Sequence, residues 1–302
     1  MKGRLFSPGK LLLTSEYTVL DGALALAVPT KWGQEFFFEE ISDGRSTVQW
    51  EAYHQDELWL STEIRYSDWQ ITSANLLPAA EFVLKVLKNT ARLSSIKFKE
   101  NTSYRIRTNL QFPANFGLGS SSTLMNNLAE WAGINPYELN ETSLGGSGYD
   151  IAVATEKSAV LYQISGQDRR IQTVDFNPFF SHELLFIHLN QKQDSREGIE
   201  HYRALPYDPE LIEWFSDLTH KVLNTVEINS FSNLMEAHEQ KLSNTLLIKT
   251  VKESHFSDCP VFVKSLGAWG GDFVMSRKFS GYERYFSERG FSSIYTWSEL
   301  IL

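Results

Sequence analysis

The sequence predicts an α+β protein of two lobes. Three observations point there: aromatic and β-branched strand patterns crowd residues 33–71, helical and strand patterns alternate afterwards, and 302 residues are enough for two cores. The division is expected around Asn177-Pro178, giving lobes 1–180 and 181–302. No Ser- or Gly-rich linker separates them, so the lobes are expected in close contact.

Taken in order, Leu11-Leu12-Leu13 after Lys10 reads as a strand. Gly33 to Ile71 reads as three or four antiparallel strands, and Asp43-Gly44 between two apolar runs is a hairpin signal. Trp50, Trp59 and Trp69 fit sheet packing better than a binding platform. Leu76, Ala80, Val83, Leu84 and Leu87 recur at helical spacing across 75–88. Tyr104, Ile106 and Leu110 alternate with Arg105, Arg107 and Asn109, which predicts a half-buried strand with its arginines in solvent. Helices are expected from Ser121 to Ala132 and from Pro136, the second with Asn135 as N-cap. Strands follow at 160–164 and 183–189, then helices from Asp208-Pro209 and from Ser230, each after a capping residue. Leu234, His238, Leu242 and Leu246 make one helical stripe, and His238-Glu239 is read as helix packing and surface rather than a metal site. A strand near Phe273, a helix over 282–289 and a strand over 293–297 close the chain.

Composition narrows the function. Lys and Arg number 28 against 37 Asp and Glu, a formal charge of −9 with no basic block, which argues against a nucleic-acid partner. Cys259 is alone, so neither a disulfide nor a cysteine metal cage forms within one chain. Thr14, Ser15, Glu16 and Asp21 interrupt the apolar start too early for a signal peptide, and no run reaches the ~18 apolar residues of a membrane helix. The expectation is a cytoplasmic protein without membrane contact.

Four segments carry chemistry. In Pro113-Ala-Asn-Phe-Gly117-Leu118-Gly119-Ser120-Ser121-Ser122 a strand runs through two glycines and three serines into a helix. The first N–H groups of that helix lack internal partners and sit at the positive end of its dipole, a site for phosphate; a plain capped turn is the alternative. Gly145-Gly146-Ser147-Gly148-Tyr149-Asp150 presents a carboxylate after a flexible turn, suited either to accept a substrate proton or to cap a helix at Ile151. Lys264-Ser-Leu-Gly267-Ala-Trp269-Gly270-Gly271-Asp272 is a Gly-rich turn into a strand. Pro8-Gly9-Lys10 with Ser15-Glu16-Tyr17 brackets the first strand.

In this order the four segments resemble the GHMP kinase superfamily, most closely the mevalonate and phosphomevalonate kinases. Gly117 to Ser121 matches the family's Gly-Leu-Gly-Ser-Ser in full, while Tyr17 and the Asp150 segment are nearer the phosphomevalonate kinase form. Trp269 and Asp272 stand where the family's third motif has glycines.

The resemblance implies a ribosomal-protein-S5-like N-terminal lobe, a ferredoxin-like C-terminal lobe, and a kinase that uses ATP and Mg²⁺ on a small-molecule acceptor, with a homodimer left open. It places ATP phosphates on Gly117, Leu118, Gly119, Ser120, Ser121 and Ser122, and Mg²⁺ on Ser121 and Glu141, with Glu138 in reserve. It makes Asp150 and Lys10 catalytic: Asp150 orients or deprotonates the attacking hydroxyl, and Lys10 beside it stabilises the transferring phosphoryl group. Glu16, Tyr17, Lys192, Ser195, Arg196, Gly270 and Asp272 are the implied acceptor contacts, although Ser195 could equally cap a helix from Arg196. Two alternatives stay open: an ATP-dependent decarboxylase of the diphosphomevalonate type, and a non-catalytic binding protein on the same scaffold.

Overall fold

The computed structural model describes Met1–Leu302 apart from residues 167, 191–194, 268 and 270, and the backbone alone for 195–197. Contacts divide it into two compact units. Unit 1 comprises Met1–Gly9, Trp32–Ala114 and Leu118–Lys157; unit 2 comprises Lys10–Lys31, Asn115–Gly117 and Ser158–Leu302. The division expected near residue 180 follows the sequence, whereas these units interleave. The long strands β1 (Lys2–Leu12) and β2 (Ala25–Ser42) each contribute residues to both.

In unit 1, β3 (Thr47–His54), β4 (Glu57–Arg65) and β5 (Gln70–Ala74) form an antiparallel meander, followed by α1 (Leu77–Leu93) and β6 (Thr102–Leu110). β6 pairs antiparallel with β2 and parallel with β3. The hairpin expected at Asp43-Gly44 is therefore corrected: Gly44 turns the chain at φ 76°, but β6 lies between the two strands it joins. The tight hairpin forms one connection later. There Gln55 and Asp56 take two left-handed positions, φ 49° and 67°, and Asn109 Oδ1 accepts the Asp56 N–H at 3.1 Å. On β6, Ile106 is buried while Arg105 and Arg107 face solvent, as the alternation predicts.

Three helices complete unit 1: α2 (Ser120–Ala132), α3 (Pro136–Ser143) and α4 (Tyr149–Glu156). Asn135 caps α3 by accepting the Tyr137 N–H at 2.9 Å. Trp131 of α2 packs edge-on against Tyr104 and Phe98, with ring centroids 5.3 and 5.7 Å away, in a core that also takes Phe36, Trp50, Val83 and Leu87. Behind α2 lies a buried polar chain. Asn126 donates to Ser7 Oγ (2.9 Å), Ser7 to Asn127 Oδ1 (2.8 Å), and Asn127 to the Gln34 carbonyl (3.0 Å), which fixes the helix to β1 and β2.

In unit 2 the start of β2 pairs with β7 (Ala159–Ser165), which pairs with β8 (Asp168–Val174). A second sheet is built from β9 (Leu184–His188) and later strands, after α5 (Ser195–Arg203), α6 (Pro209–Leu223), α7 (Ile228–Leu246) and the short α8 (Val251–His255). Its order is β10 (Val263–Leu266), β11 (Phe273–Arg277), β9 and β12 (Ile294–Thr296), antiparallel throughout, with α9 (Tyr282–Ser287) before β12 and α10 (Trp297–Leu300) after it.

Asp208 caps α6 as predicted, accepting the Glu210 N–H at 3.0 Å. α7 begins before Ser230, after Glu227 and without a side-chain cap, so packing rather than capping sets its start. Its inner face buries Phe231, Met235, His238, Glu239, Leu242 and Leu246 against α6 and β10. The surface position expected for Glu239 is thus corrected: it is buried 4.0 Å from Lys264 of β10, and burial there favours its protonated, uncharged form.

Candidate active site

The loop between β6 and α2 has the build that phosphate binding needs. Gly117 (φ 66°) and Gly119 (φ 86°) both adopt left-handed conformations open to glycine, and Gly119 is the N-cap of α2. No side chain caps the helix, so its leading amide hydrogens are left for a ligand. Ser121 is exposed on the first turn, whereas Ser122 points inward.

Asp150 lies in the first turn of α4, and α4 packs on α2. Its Oδ2 accepts a short hydrogen bond from Ser122 Oγ, and its Oδ1 accepts the Ile151 N–H at 3.0 Å. Both oxygens are thereby aimed, while each keeps a lone pair for a further donor. The sequence singled out Ser121; the hydroxyl that engages the aspartate is its neighbour. Glu141 lies on the exposed side of α3. Among the described residues, no group of three or more His, Cys, Asp or Glu is gathered to hold a metal ion.

In unit 2, Lys10 is buried at the end of the Pro8-Gly9-Lys10 segment and its Nζ donates to the Gly117 carbonyl at 3.0 Å. Asp272, at φ 52° and also buried, presses its carboxylate against the Gly117 Cα, where no β-carbon would fit. The first and third motif segments therefore converge on one glycine. Gly117 is needed twice over, for its dihedral angle and for this close approach.

Glu16, an acceptor contact in the reading from sequence, lies inside a buried ion cluster. It is only 2% exposed, and its carboxylate meets Lys264 Nζ at 2.5 Å and His238 Nε2 at 3.0 Å. Burial alone would raise its pKa, but Lys264 and His238 override this and hold it at about 2. Burial, then Lys264, keeps the His238 ring neutral by lowering its pKa to about 4. His238 Nε2 also lies 2.9 Å from the Ser15 N–H; a neutral ring can accept that proton or donate to Glu16, not both. Glu239, 4.0 Å from Lys264, is pushed up to about 8 by burial, against the pull of Lys264. This cluster anchors a turn in which Ser15 and Tyr17 both have positive φ, 67° and 63°. No sequence spacing announces it, because Glu16 and Lys264 are 248 residues apart.

Tyr17 stacks on Tyr202 with centroids 6.1 Å apart, and its hydroxyl accepts the Trp269 backbone N–H at 2.8 Å. The Trp269 indole N–H donates to the Lys249 carbonyl at 3.1 Å. Lys192 and Gly270 lie outside the described residues, and Ser195 and Arg196 are placed only as the first backbone positions of α5.

No protein-family model and no curated protein sequence matches the chain. Solved structures do. The mevalonate kinase of Methanococcus jannaschii superposes with a TM-score of 0.70 at 16% identity, covering 98% of this chain and 97% of that one. The chain has the GHMP kinase fold. A Streptococcus pneumoniae phosphomevalonate kinase in complex with phosphomevalonate and AMPPNP matches at 0.67 and 16% identity over 97% and 99% of the two chains. A Lactococcus lactis galactokinase complexed with galactose matches at 0.67 and 14% identity, over 98% of this chain and 92% of its own. The alternating strands and helices read from the sequence take the order of this fold. Among the described residues, no helix is long and apolar enough to cross a membrane.

Proposed function

We propose that the chain is an ATP-dependent kinase of the GHMP type that transfers the γ-phosphoryl group to a hydroxyl or phosphate of a mevalonate-like acid. The observation that carries the reading is the uncapped N-terminus of α2 behind two left-handed glycines. A polyphosphate fits the start of α2: its amide hydrogens and the helix dipole both favour negative charge.

Mg²⁺ fits the oxygen donors beside it. The exposed Ser121 hydroxyl and the exposed Glu141 carboxylate are hard oxygen donors of the kind Mg²⁺ takes, and Mg²⁺ needs few protein groups because it keeps several waters. When bound, it would neutralise charge on the phosphates. The chain's own residues supply the rest. Amides of α2 hold the phosphates in line, Lys10 supports the Gly117 peptide and the charge next to it, and Asp150, aimed by Ser122, orients the acceptor hydroxyl and takes its proton.

The test is ADP release with mevalonate, phosphomevalonate, homoserine and simple sugars as acceptors. Asp150→Asn should then lower turnover by about 10²-fold or more, the scale of general-base loss, with nucleotide affinity little changed. Equal turnover in variant and parent would remove Asp150 from the mechanism. Carbon dioxide in the products would instead support the decarboxylase reading.

A further inference from the structure

The larger sheet ends at β8, which among the described residues pairs only with β7, and unit 2 has a cleft of about 560 Å³ where this hairpin meets α6. Arg169 and Arg170 of β8 and His220 of α6 line it, and among the described lining residues there is no Asp or Glu. Asp168, Glu213 and Asp217, the acids beside these residues in sequence, are exposed and stay outside the lining. The floor is preformed. Ser216 Oγ accepts the Leu24 N–H at 2.9 Å and donates to the Ile212 carbonyl at 2.8 Å, and the Leu24 carbonyl accepts from Ser15 Oγ at 2.7 Å. Gln163 is held too, its amide donating to the Gly22 carbonyl at 3.0 Å. The rim differs from the floor. Arg170, Gln172 and the His220 ring are exposed and, among the described residues, have no hydrogen-bond or ion-pair partner.

We propose that this cleft is a second anion site, which takes a tetrahedral oxyanion dianion: phosphate, free or as a small monoester. Successive side chains of a strand point to opposite faces, so a cleft lined by both Arg169 and Arg170 wraps around the free edge of β8 and offers a guanidinium from each face. Each planar fork presents two N–H groups to two oxygens of one anion, which suits a tetrahedral centre with oxygens on every side. Gln172 adds amide donors from the strand, and His220 adds a ring N–H from the opposite wall. A cation is repelled there, and a neutral ligand leaves the charge of Arg170 uncompensated. With a net charge of −9 the chain as a whole repels anions, so one that stays must be held by directed bonds rather than by the diffuse field. None of the residues read as phosphate, metal or acceptor contacts lines the cleft, so the inference stands apart from the kinase reading and would survive the absence of phosphoryl transfer.

The experiment is calorimetric titration of the full chain with inorganic phosphate, methyl phosphate and acetate at constant ionic strength. The two phosphates should bind at least about tenfold more tightly than acetate, the scale of one charge-assisted hydrogen bond. Whichever phosphate binds more tightly names the occupant as free or esterified, and both outcomes support the site. The double variant Arg170→Gln/His220→Gln alters two exposed side chains without partners, so it should unfold at the parent temperature and lose about tenfold or more in phosphate affinity. Arg170→Lys keeps the charge without the fork and should lose a smaller part of that affinity. Phosphate held instead at the start of α2 would bind the double variant as it binds the parent. That result, acetate binding as tightly as phosphate, or no saturable phosphate binding to the parent would overturn the proposal.

Discussion

Lys264→Met removes the cation at the centre of the buried cluster while keeping an unbranched side chain of similar length. Lys264 is fully buried and neutralises Glu16 at 2.5 Å, with Glu239 a further 4.0 Å neighbour. Breaking a buried pair by deleting one partner costs about 3–5 kcal/mol, because the remaining charge stays desolvated. For a chain of this size each kcal/mol moves the midpoint by roughly 2 °C, so the expected fall is about 6–10 °C. Differential scanning calorimetry at pH 8 measures it. Adding Glu16→Gln to the same variant should recover much of the loss, since replacing both members of a buried pair is often close to neutral. A single variant melting within about 2 °C of the parent, or a double variant no better than the single, would refute the view that this cluster is an interdependent ion set.

Other expectations follow from the same geometry. Glu239 keeps its proton to a higher pH when folded than when unfolded, so it lowers stability as pH rises from about 4.5 to about 8. Glu239→Gln should therefore gain melting temperature over the parent progressively across that window; a constant difference would contradict the buried protonated acid. Ser121→Ala should weaken Mg²⁺-ATP binding far more than metal-free ATP binding, and equal losses would exclude Ser121 as a ligand. Asp272→Gly removes a carboxylate from Gly117 and relieves a left-handed non-glycine residue, so acceptor preference should change and stability rise by up to about 1 kcal/mol. An unchanged profile over a panel of acids and phosphorylated acids would count against a selecting role.

Much of the architecture was legible because it rests on local rules. Asn135 and Asp208 announced α3 and α6 as caps, and the alternation around Ile106 gave both a strand and its exposed arginines. The turn at Asp43-Gly44 was also visible, but its pairing was not: β6 enters from 60 residues downstream, and turn chemistry says nothing of a strand that far away. At the site, the paired glycines and the following helix were plain from sequence. That Ser122 rather than Ser121 meets Asp150 was not, because it depends on the rotation of α2 set by the Ser7, Asn126 and Asn127 bonds.

The sequence by itself determined where the backbone turns, where helices start and where amide hydrogens are left over, since these depend on neighbours within a few residues. Only the tertiary structure decided the partners of the charges. It buried Glu16 with Lys264 and His238, set Lys10 and Asp272 on the same glycine, and brought Arg169, Arg170 and His220 to one cleft between β8 and α6. The physical reason is that a buried charge is stable only next to its counter-charge. That neighbour is chosen by packing between elements far apart in the chain.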